Sequence, residues 1–140
     1  MVKFVKTNIL YIAFFQALVA VSSSLYLSEI KHFPPCVLCW YQRSLMYPLV
    51  IILAVGILRH DKGVYKYVLP ITIIGMIVSF YHNLLYYQIL PEAAVPCAQG
   101  VSCTTKFIEL FGFATIPLLS LAGFAIITIC MLVYRREVLK

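Results

Sequence analysis

Apolar residues along this chain fall into four long runs that charged residues separate. Three runs contain no Asp, Glu, Lys or Arg over 22, 25 and 25 residues, at positions 7–28, 67–91 and 110–134. The fourth, at 44–58, has only 15 residues and becomes long enough if its helix starts near Pro35. A helix needs about 20 mostly apolar residues to cross a hydrocarbon core of ~30 Å. The pattern therefore predicts four membrane-spanning helices.

The runs are continuous rather than alternating, which favours helices over the strands of a membrane barrel. We expect an all-α membrane protein, a four-transmembrane-helix bundle that forms one domain over residues 1–140. Pro117 falls within the last run, so helix 4 either starts late or bends there. The predicted spans are residues 7–28, 36–58, 67–90 and 111–134, with extracytoplasmic loops at residues 29–35 and 91–110.

The first run could instead be a signal peptide. Its apolar stretch exceeds the usual length of about 7–15 residues, and no clear cleavage site follows. We therefore expect it to be retained as a span.

Lys and Arg are divided unequally between the two sides of such a bundle. Cytoplasmic loops of membrane proteins carry an excess of these residues. This predicts that both termini are cytoplasmic and that the protein is a multi-pass protein of the cell (plasma) membrane. One side holds eight, and they are Lys3, Lys6, Arg59, Lys62, Lys66, Arg135, Arg136 and Lys140. The other side holds three, and they are Lys31, Arg43 and Lys106.

The composition agrees with a membrane protein. Apolar and aromatic residues make up 63% of the chain and charged residues 11%, whereas soluble domains have about 45–50% and about 25%. Too few polar residues are present to cover a soluble globule, and disordered or collagenous classes are excluded. The net charge of +6 is thus a topology signal, and we expect no nucleic-acid partner.

Four of the five cysteines fall on the predicted outer side, as the pairs Cys36/Cys39 and Cys97/Cys103. One interpretation is two structural disulfides, but rings this small stabilise a fold by roughly 2 kcal/mol each. A second is a zinc site, which an oxidising compartment disfavours. A third is redox exchange, because a two-residue spacing strains a disulfide and makes it reducible. The fifth, Cys130, is expected to be a buried apolar thiol.

The surroundings of the first pair favour reactivity. Cys36 and Cys39 fall in the first turn of helix 2, where the helix dipole stabilises a thiolate. Arg43 follows Cys39 by four residues and shares its helical face. A charge at membrane depth is costly and usually functional, although the side chain could also extend to the head groups.

Two cysteine pairs on one side of the membrane indicate that one pair passes electrons to the other. Because no haem or nucleotide motif is present, a lipid-soluble quinone fits as the acceptor.

Two segments carry a resemblance to a known family. They are Phe-Pro-Pro-Cys-Val-Leu-Cys-Trp-Tyr-Gln-Arg at residues 33–43, and Tyr-His-Asn at residues 81–83 followed by Cys97 and Cys103. With the four-span layout, the chain resembles the DsbB family of disulfide bond formation proteins, especially its short Gram-positive BdbC-type members. The resemblance implies a thiol:quinone oxidoreductase. Such an enzyme reoxidises an extracytoplasmic thioredoxin-fold thiol oxidase and passes electrons to menaquinone or ubiquinone.

The resemblance also implies a role for each site residue. Cys97 is similar to the loop cysteine that the partner attacks, and Cys103, its pair mate, exchanges with Cys36. Cys39 is then the thiolate that faces the quinone. The quinone-binding residues that the resemblance implies are Cys39, Arg43 and His82. The loop here is shorter than in larger members, which leaves the order of exchange between the pairs open.

Two other functions remain open. A redox enzyme of the vitamin K epoxide reductase kind also combines a loop pair with a C-x-x-C motif, but its C-x-x-C follows the loop cysteines, whereas here it precedes them. The other is a non-catalytic membrane protein with two structural disulfides. Replacing Cys36 or Cys97 would then lower its stability, and the protein would reduce no quinone.

Overall fold

The computed structural model describes residues 2–30, 37–87, 89, 109–110 and 114–140. Helix α1 is continued by a short π-helical stretch, Tyr26–Ile30, which we call the π segment. Two short strands, β1 and β2, pair antiparallel with Glu109 opposite Thr115. The helices are α1 Val2–Leu25, α2 Val37–Leu58, α3 Tyr65–Tyr86 and α4 Ile116–Leu139, and the strands are β1 Glu109–Leu110 and β2 Ala114–Thr115.

Among the residues that the structure describes, four helices are long and apolar enough to cross a membrane, so the predicted four-helix membrane architecture is confirmed. Their outward surfaces carry large exposed apolar side chains such as Phe15, Ile51, Ile77 and Ile129. Such a surface suits lipid, because lipid tails solvate apolar side chains as well as a protein core does. The membrane-capable stretches are Phe4–Ile30, Trp40–Leu58, Tyr65–Tyr86 and Leu118–Leu139.

The helix boundaries depart from the predicted spans where prolines occur. Helix α4 begins at Ile116 rather than at residue 111, which places Pro117 second in the helix. The first four N–H groups of a helix have no intrahelical acceptor, so a proline costs nothing there. Helix 4 therefore starts late. Helix α3 begins at Tyr65 rather than at residue 67, so Pro70 lies in its second turn.

The helices form a closed ring of neighbours. Helix α1 packs against α2 and α4, and α3 packs against α2 and α4. A buried apolar cluster lies between them, and Phe124 is the largest of its fully buried side chains. The Phe124 ring packs directly on Gly75, where a Cβ would overlap the ring. Glycine at this position lets α3 and α4 approach closely, as small residues do between membrane helices.

The turn between α2 and α3 is a Schellman motif. The N–H of Asp61 donates to the Gly56 carbonyl at 3.0 Å, and the N–H of His60 donates to the Ile57 carbonyl at 3.3 Å. His60 has a φ of 53°, the left-handed conformation that this motif usually gives to glycine. The hydroxyl of Tyr134 donates to the Asp61 carbonyl at 3.3 Å, which ties the end of α4 to the same turn.

The left-handed backbone at His60 predicts that His60→Gly stabilises the protein. A side chain in this conformation costs about 1–2 kcal/mol, and the extra freedom of glycine in the unfolded chain offsets about 0.5–1 kcal/mol of the gain. We expect a net gain of about 0.5–1 kcal/mol, measured from the unfolding midpoint in SDS titrations of detergent-solubilised protein. His60→Ala keeps the Cβ and is the control. Equal midpoints for the two variants would contradict the assignment.

Candidate functional site

Buried polar side chains gather at one end of the bundle. This end, which we call the cysteine end, is formed by the π segment, the start of α2, the end of α3 and the start of α4. Polar contacts join all four of these elements. Arg43 contacts the end of α1, Gln42 contacts His82 on α3, and Ser79 on α3 contacts Ser120 on α4. Because unpaired polar groups are costly away from water, this concentration marks the candidate site.

Arg43 joins α2 to α1 through a three-point contact. Its Nε donates to Ser24 Oγ at 2.6 Å, and its Nη2 donates to the Ser24 carbonyl at 2.9 Å. Its Nη1 donates to Ser28 Oγ at 3.2 Å. None of the carboxylates in the described part of the chain forms an ion pair with Arg43. Its positive charge is therefore solvated by neutral acceptors alone within those residues.

The π segment begins two residues after Ser24 and contains Ser28. In an α-helix, residues four apart are offset by about 40° around the axis. The wider π turn reduces this offset, so the two hydroxyls can face the same guanidinium. A π turn within a helix frequently marks a functional site.

Trp40 also contacts the guanidinium of Arg43. The Arg43 Cζ lies 5.5 Å from the centroid of the Trp40 ring, within the range of a cation–π contact. The ring is 55% exposed and lies at the surface of the bundle. Arg43 therefore contacts an aromatic ring as well as Ser24 and Ser28.

Gln42 and His82 form a buried contact between α2 and α3. Gln42 Nε2 lies 3.0 Å from His82 Nδ1, and both side chains are buried. An amide nitrogen only donates, so Nδ1 accepts and the proton of a neutral imidazole is on Nε2. This atom assignment rests on the hydrogen-bond geometry. Gln42 thus selects the tautomer of His82.

A second polar contact closes the cysteine end between α3 and α4. The hydroxyls of Ser79 and Ser120 lie 3.1 Å apart. One turn further along α3, the Asn83 side-chain amide donates to the Ser79 carbonyl at 2.8 Å. Ser79, His82 and Asn83 are all buried, so one face of the last two turns of α3 is polar.

The structure brings two of the predicted site residues to this end. Arg43 on α2 and His82 on α3 lie there on neighbouring helices. Gln42, the residue before Arg43, contacts His82, and Arg43 itself contacts Ser24. Cys39 belongs to α2 one turn before Arg43, and the structure describes only its backbone. Cys36, Cys97 and Cys103 lie outside the described residues. The zinc and disulfide hypotheses concern these cysteines and stay predictions.

Cys130 lies on α4, far along the chain from the start of that helix. It is a free, partly buried thiol that packs against the apolar cluster. This agrees with the structural role that the sequence indicates.

Three residues of the site were missed from the sequence: Ser24, Ser28 and Gln42. A signal for the serines existed, because two hydroxyls four residues apart at the end of an apolar run lie on one helical face. Gln42 lies within the segment that carries the family resemblance, but its partner is 40 residues away. Only the packing of α2 on α3 shows that contact.

Comparisons with known proteins identify the family of the chain. The family model described as "Disulfide bond formation protein DsbB" matches residues 6–134. No solved structure matches the chain.

Several relatives are similar over nearly their whole length. The "Disulfide bond formation protein C" of Bacillus subtilis is 48% identical over 91% of this chain and 93% of the relative. The "Probable disulfide formation protein C" of Halalkalibacterium halodurans is 46% identical over 93% and 95%. The "Probable disulfide formation protein" of Metapseudomonas resinovorans is 42% identical over 93% and 91%. With this coverage and four membrane-capable helices, the chain belongs to the DsbB family of disulfide bond formation proteins.

Proposed function

We propose that this protein is a thiol:quinone oxidoreductase of the plasma membrane. It reoxidises an extracytoplasmic thioredoxin-fold thiol oxidase and passes the electrons to a membrane quinone. Disulfide bond formation in exported proteins then continues because the oxidase is regenerated. Both termini are cytoplasmic, and the four outer cysteines face the extracytoplasmic side.

The placement of Arg43 is the observation that carries this proposal. Its guanidinium is half-buried and bonded to neutral oxygens of Ser24 and Ser28. Cys39 lies one turn earlier on the same face of α2. A cation that is not neutralised by a described carboxylate favours the charged form of a nearby thiol, the thiolate. A structural disulfide would not need this charge at membrane depth.

The residues at the cysteine end also fit a quinone, which offers a flat ring and two carbonyl oxygens. Arg43 provides N–H donors, His82 provides an imidazole, and the Trp40 ring provides an aromatic face open to the bilayer. Bound quinone supplies an acceptor for two electrons and two protons. The protein contributes the charge, the donors and the cysteine that gives up the electrons.

The thiol steps proceed by exchange. A partner thiolate attacks the Cys97–Cys103 disulfide, forms a mixed disulfide with Cys97 and releases the Cys103 thiolate. The second partner thiolate attacks that mixed disulfide, so the partner leaves oxidised and Cys97 is released. Cys103 then attacks Cys36 and releases Cys39 as a thiolate beside Arg43. Cys97 then attacks the Cys103–Cys36 disulfide, which re-forms Cys97–Cys103 and frees Cys36. Cys36 and Cys39 are now both reduced and hold the two electrons for transfer.

His82 contributes a donor whose position Gln42 sets. With Nδ1 accepting from Gln42, the neutral ring presents Nε2–H as its donor. His82 lies in the same layer of the bundle as Arg43, because its partner Gln42 immediately precedes Arg43 on α2. We assign His82 to the quinone site, with Gln42 setting its tautomer.

The decisive measurement is quinone reduction by the purified protein in nanodiscs, with a reduced thioredoxin-fold partner and ubiquinone-1. We expect partner-dependent reduction. Arg43→Ala should slow the quinone step by about 10²-fold, while thiol exchange with the partner changes little, because the cation acts on the Cys39 thiolate rather than on the loop pair.

The two half-reactions are measured separately, as mixed-disulfide formation and as quinone absorbance. Cys39→Ser is the control that must abolish quinone reduction. A folded protein that reduces no quinone would overturn the enzyme assignment and favour structural disulfides. Equal losses of both half-reactions in Arg43→Ala would contradict the role of Arg43.

The buried Gln42 contact predicts a stability effect of Gln42→Leu. The substitution leaves Nδ1 of a buried imidazole without its donor, which costs about 1–3 kcal/mol. SDS unfolding in detergent measures this loss. The control is Tyr41→Leu, one residue away and exposed, which should change stability by less than about 0.5 kcal/mol. Equal effects of the two substitutions would show that the contact with His82 is unimportant.

The orientation predicts which side of the membrane exposes the loop cysteines. After mild reduction, a membrane-impermeant maleimide added to intact protoplasts should label Cys97 or Cys103. A variant that retains only Cys130 should remain unlabelled in intact protoplasts, since that thiol lies within a membrane-capable helix and is partly buried. Labelling of the loop cysteines only after permeabilisation would reverse the topology.

A further inference from the structure

We infer that Ser24 and Ser28 are positioning residues, which hold the Arg43 guanidinium at the depth of Cys39. This inference rests on the proposed function and adds two residues of α1 to the site. Neither serine reacts with thiol or quinone. They act through Arg43, by fixing the place at which its charge and its remaining donors are available.

The contact geometry explains why two serines suffice. Ser24 accepts from Nε through its hydroxyl at 2.6 Å and from Nη2 through its carbonyl at 2.9 Å. Two bonds from one residue to two guanidinium nitrogens fix the plane of the group. Ser28 accepts from Nη1 at 3.2 Å. Of the five N–H donors of an arginine, three bond to the described serines, and one on each Nη remains for a ligand.

The serines also oppose the alternative position of this side chain. A long cationic side chain near a helix end extends towards the head groups when nothing holds it. Arg43 lies seven positions into α2, close enough to the membrane surface for such an extension. The serine oxygens give the guanidinium a polar site within the bundle. They therefore determine whether the charge lies beside Cys39 or at the interface.

The π segment makes this site possible. The turn that contains Ser28 is π-helical, and it begins immediately after α1 ends at Leu25. A change from α to π hydrogen bonding alters which carbonyls have intrahelical partners. The Ser24 carbonyl lies at this junction and accepts from Arg43. Helix α1 thus provides both side-chain and backbone acceptors at one place.

Trp40 provides a direct readout of the guanidinium position. It is the only tryptophan in the chain, and Arg43 Cζ lies 5.5 Å from its ring centroid. Its fluorescence therefore reports the nearby charge without requiring turnover. We expect Ser24→Ala/Ser28→Ala to shift the Trp40 emission in the same direction as Arg43→Met. Ser23→Ala, the exposed neighbour on α1, should leave the emission unchanged.

The kinetic test separates quinone binding from the thiol reactions. With the full chain in nanodiscs and ubiquinone-1, the double serine variant should raise KM for the quinone about tenfold, which corresponds to about 1.4 kcal/mol. The KM for the reduced partner and the rate of mixed-disulfide formation should not change. The single variant Ser24→Thr keeps the hydroxyl and should have the quinone KM of the parent protein. Ser23→Ala should behave as the parent protein in every assay.

The outcomes distinguish this inference from the proposed function. Unchanged Trp40 emission in the double serine variant, with normal folding, would overturn the positioning role even if quinone is reduced. Equal losses of partner and quinone reactions would also overturn it, because they indicate a general structural defect. If the parent protein reduces no quinone while the emission shift occurs, the proposed function fails and the serine–arginine contact stands.

Discussion

A guanidinium on a membrane-spanning helix must be solvated by the protein, because lipid tails offer no acceptors. In this protein Arg43 meets that requirement with three bonds to α1 and an aromatic ring on its own helix. The requirement decides how α1 and α2 pack at the cysteine end, since the serines must face α2. It also keeps a positive charge one helical turn from Cys39. The charge is the costliest group in the described bundle, and the local structure is arranged around it.

The two ends of the bundle differ in the kind of interaction that joins the helices. At the cysteine end the contacts are polar, through Arg43, the Gln42–His82 pair and the Ser79–Ser120 hydroxyls. In the rest of the bundle the packing is mainly apolar and close, with Phe124 on Gly75 and Gly56 against Val64. A densely packed half provides a rigid frame. Polar contacts with defined directions then orient the side chains of the candidate site on that frame.

Much of this arrangement could be predicted from the sequence, for reasons that are local. The charge-free runs determine the number of helices, because bilayer thickness sets a minimum length. The spacing of Cys39 and Arg43 places both on one face of any helix. The start of α4 at Ile116 needed the structure, since Pro117 allowed either a late start or a bend. The partners of Arg43 and His82 also needed it, because Ser24 and Gln42 meet them only after the helices pack. A serine near the end of an apolar helix has many ordinary roles, and local spacing does not distinguish them.

The π segment imposes a constraint on chain length rather than on residue type. Each residue of an α-helix turns the chain by about 100°. Removing one residue between Ser24 and Ser28 would therefore rotate the second hydroxyl away from α2, whatever residues remained. Substitutions on the lipid-facing side of Tyr26–Ile30 leave the angular position of the Ser28 hydroxyl around the helix axis unchanged. Within the family, this stretch is accordingly expected to vary in its apolar residues while its length stays constant.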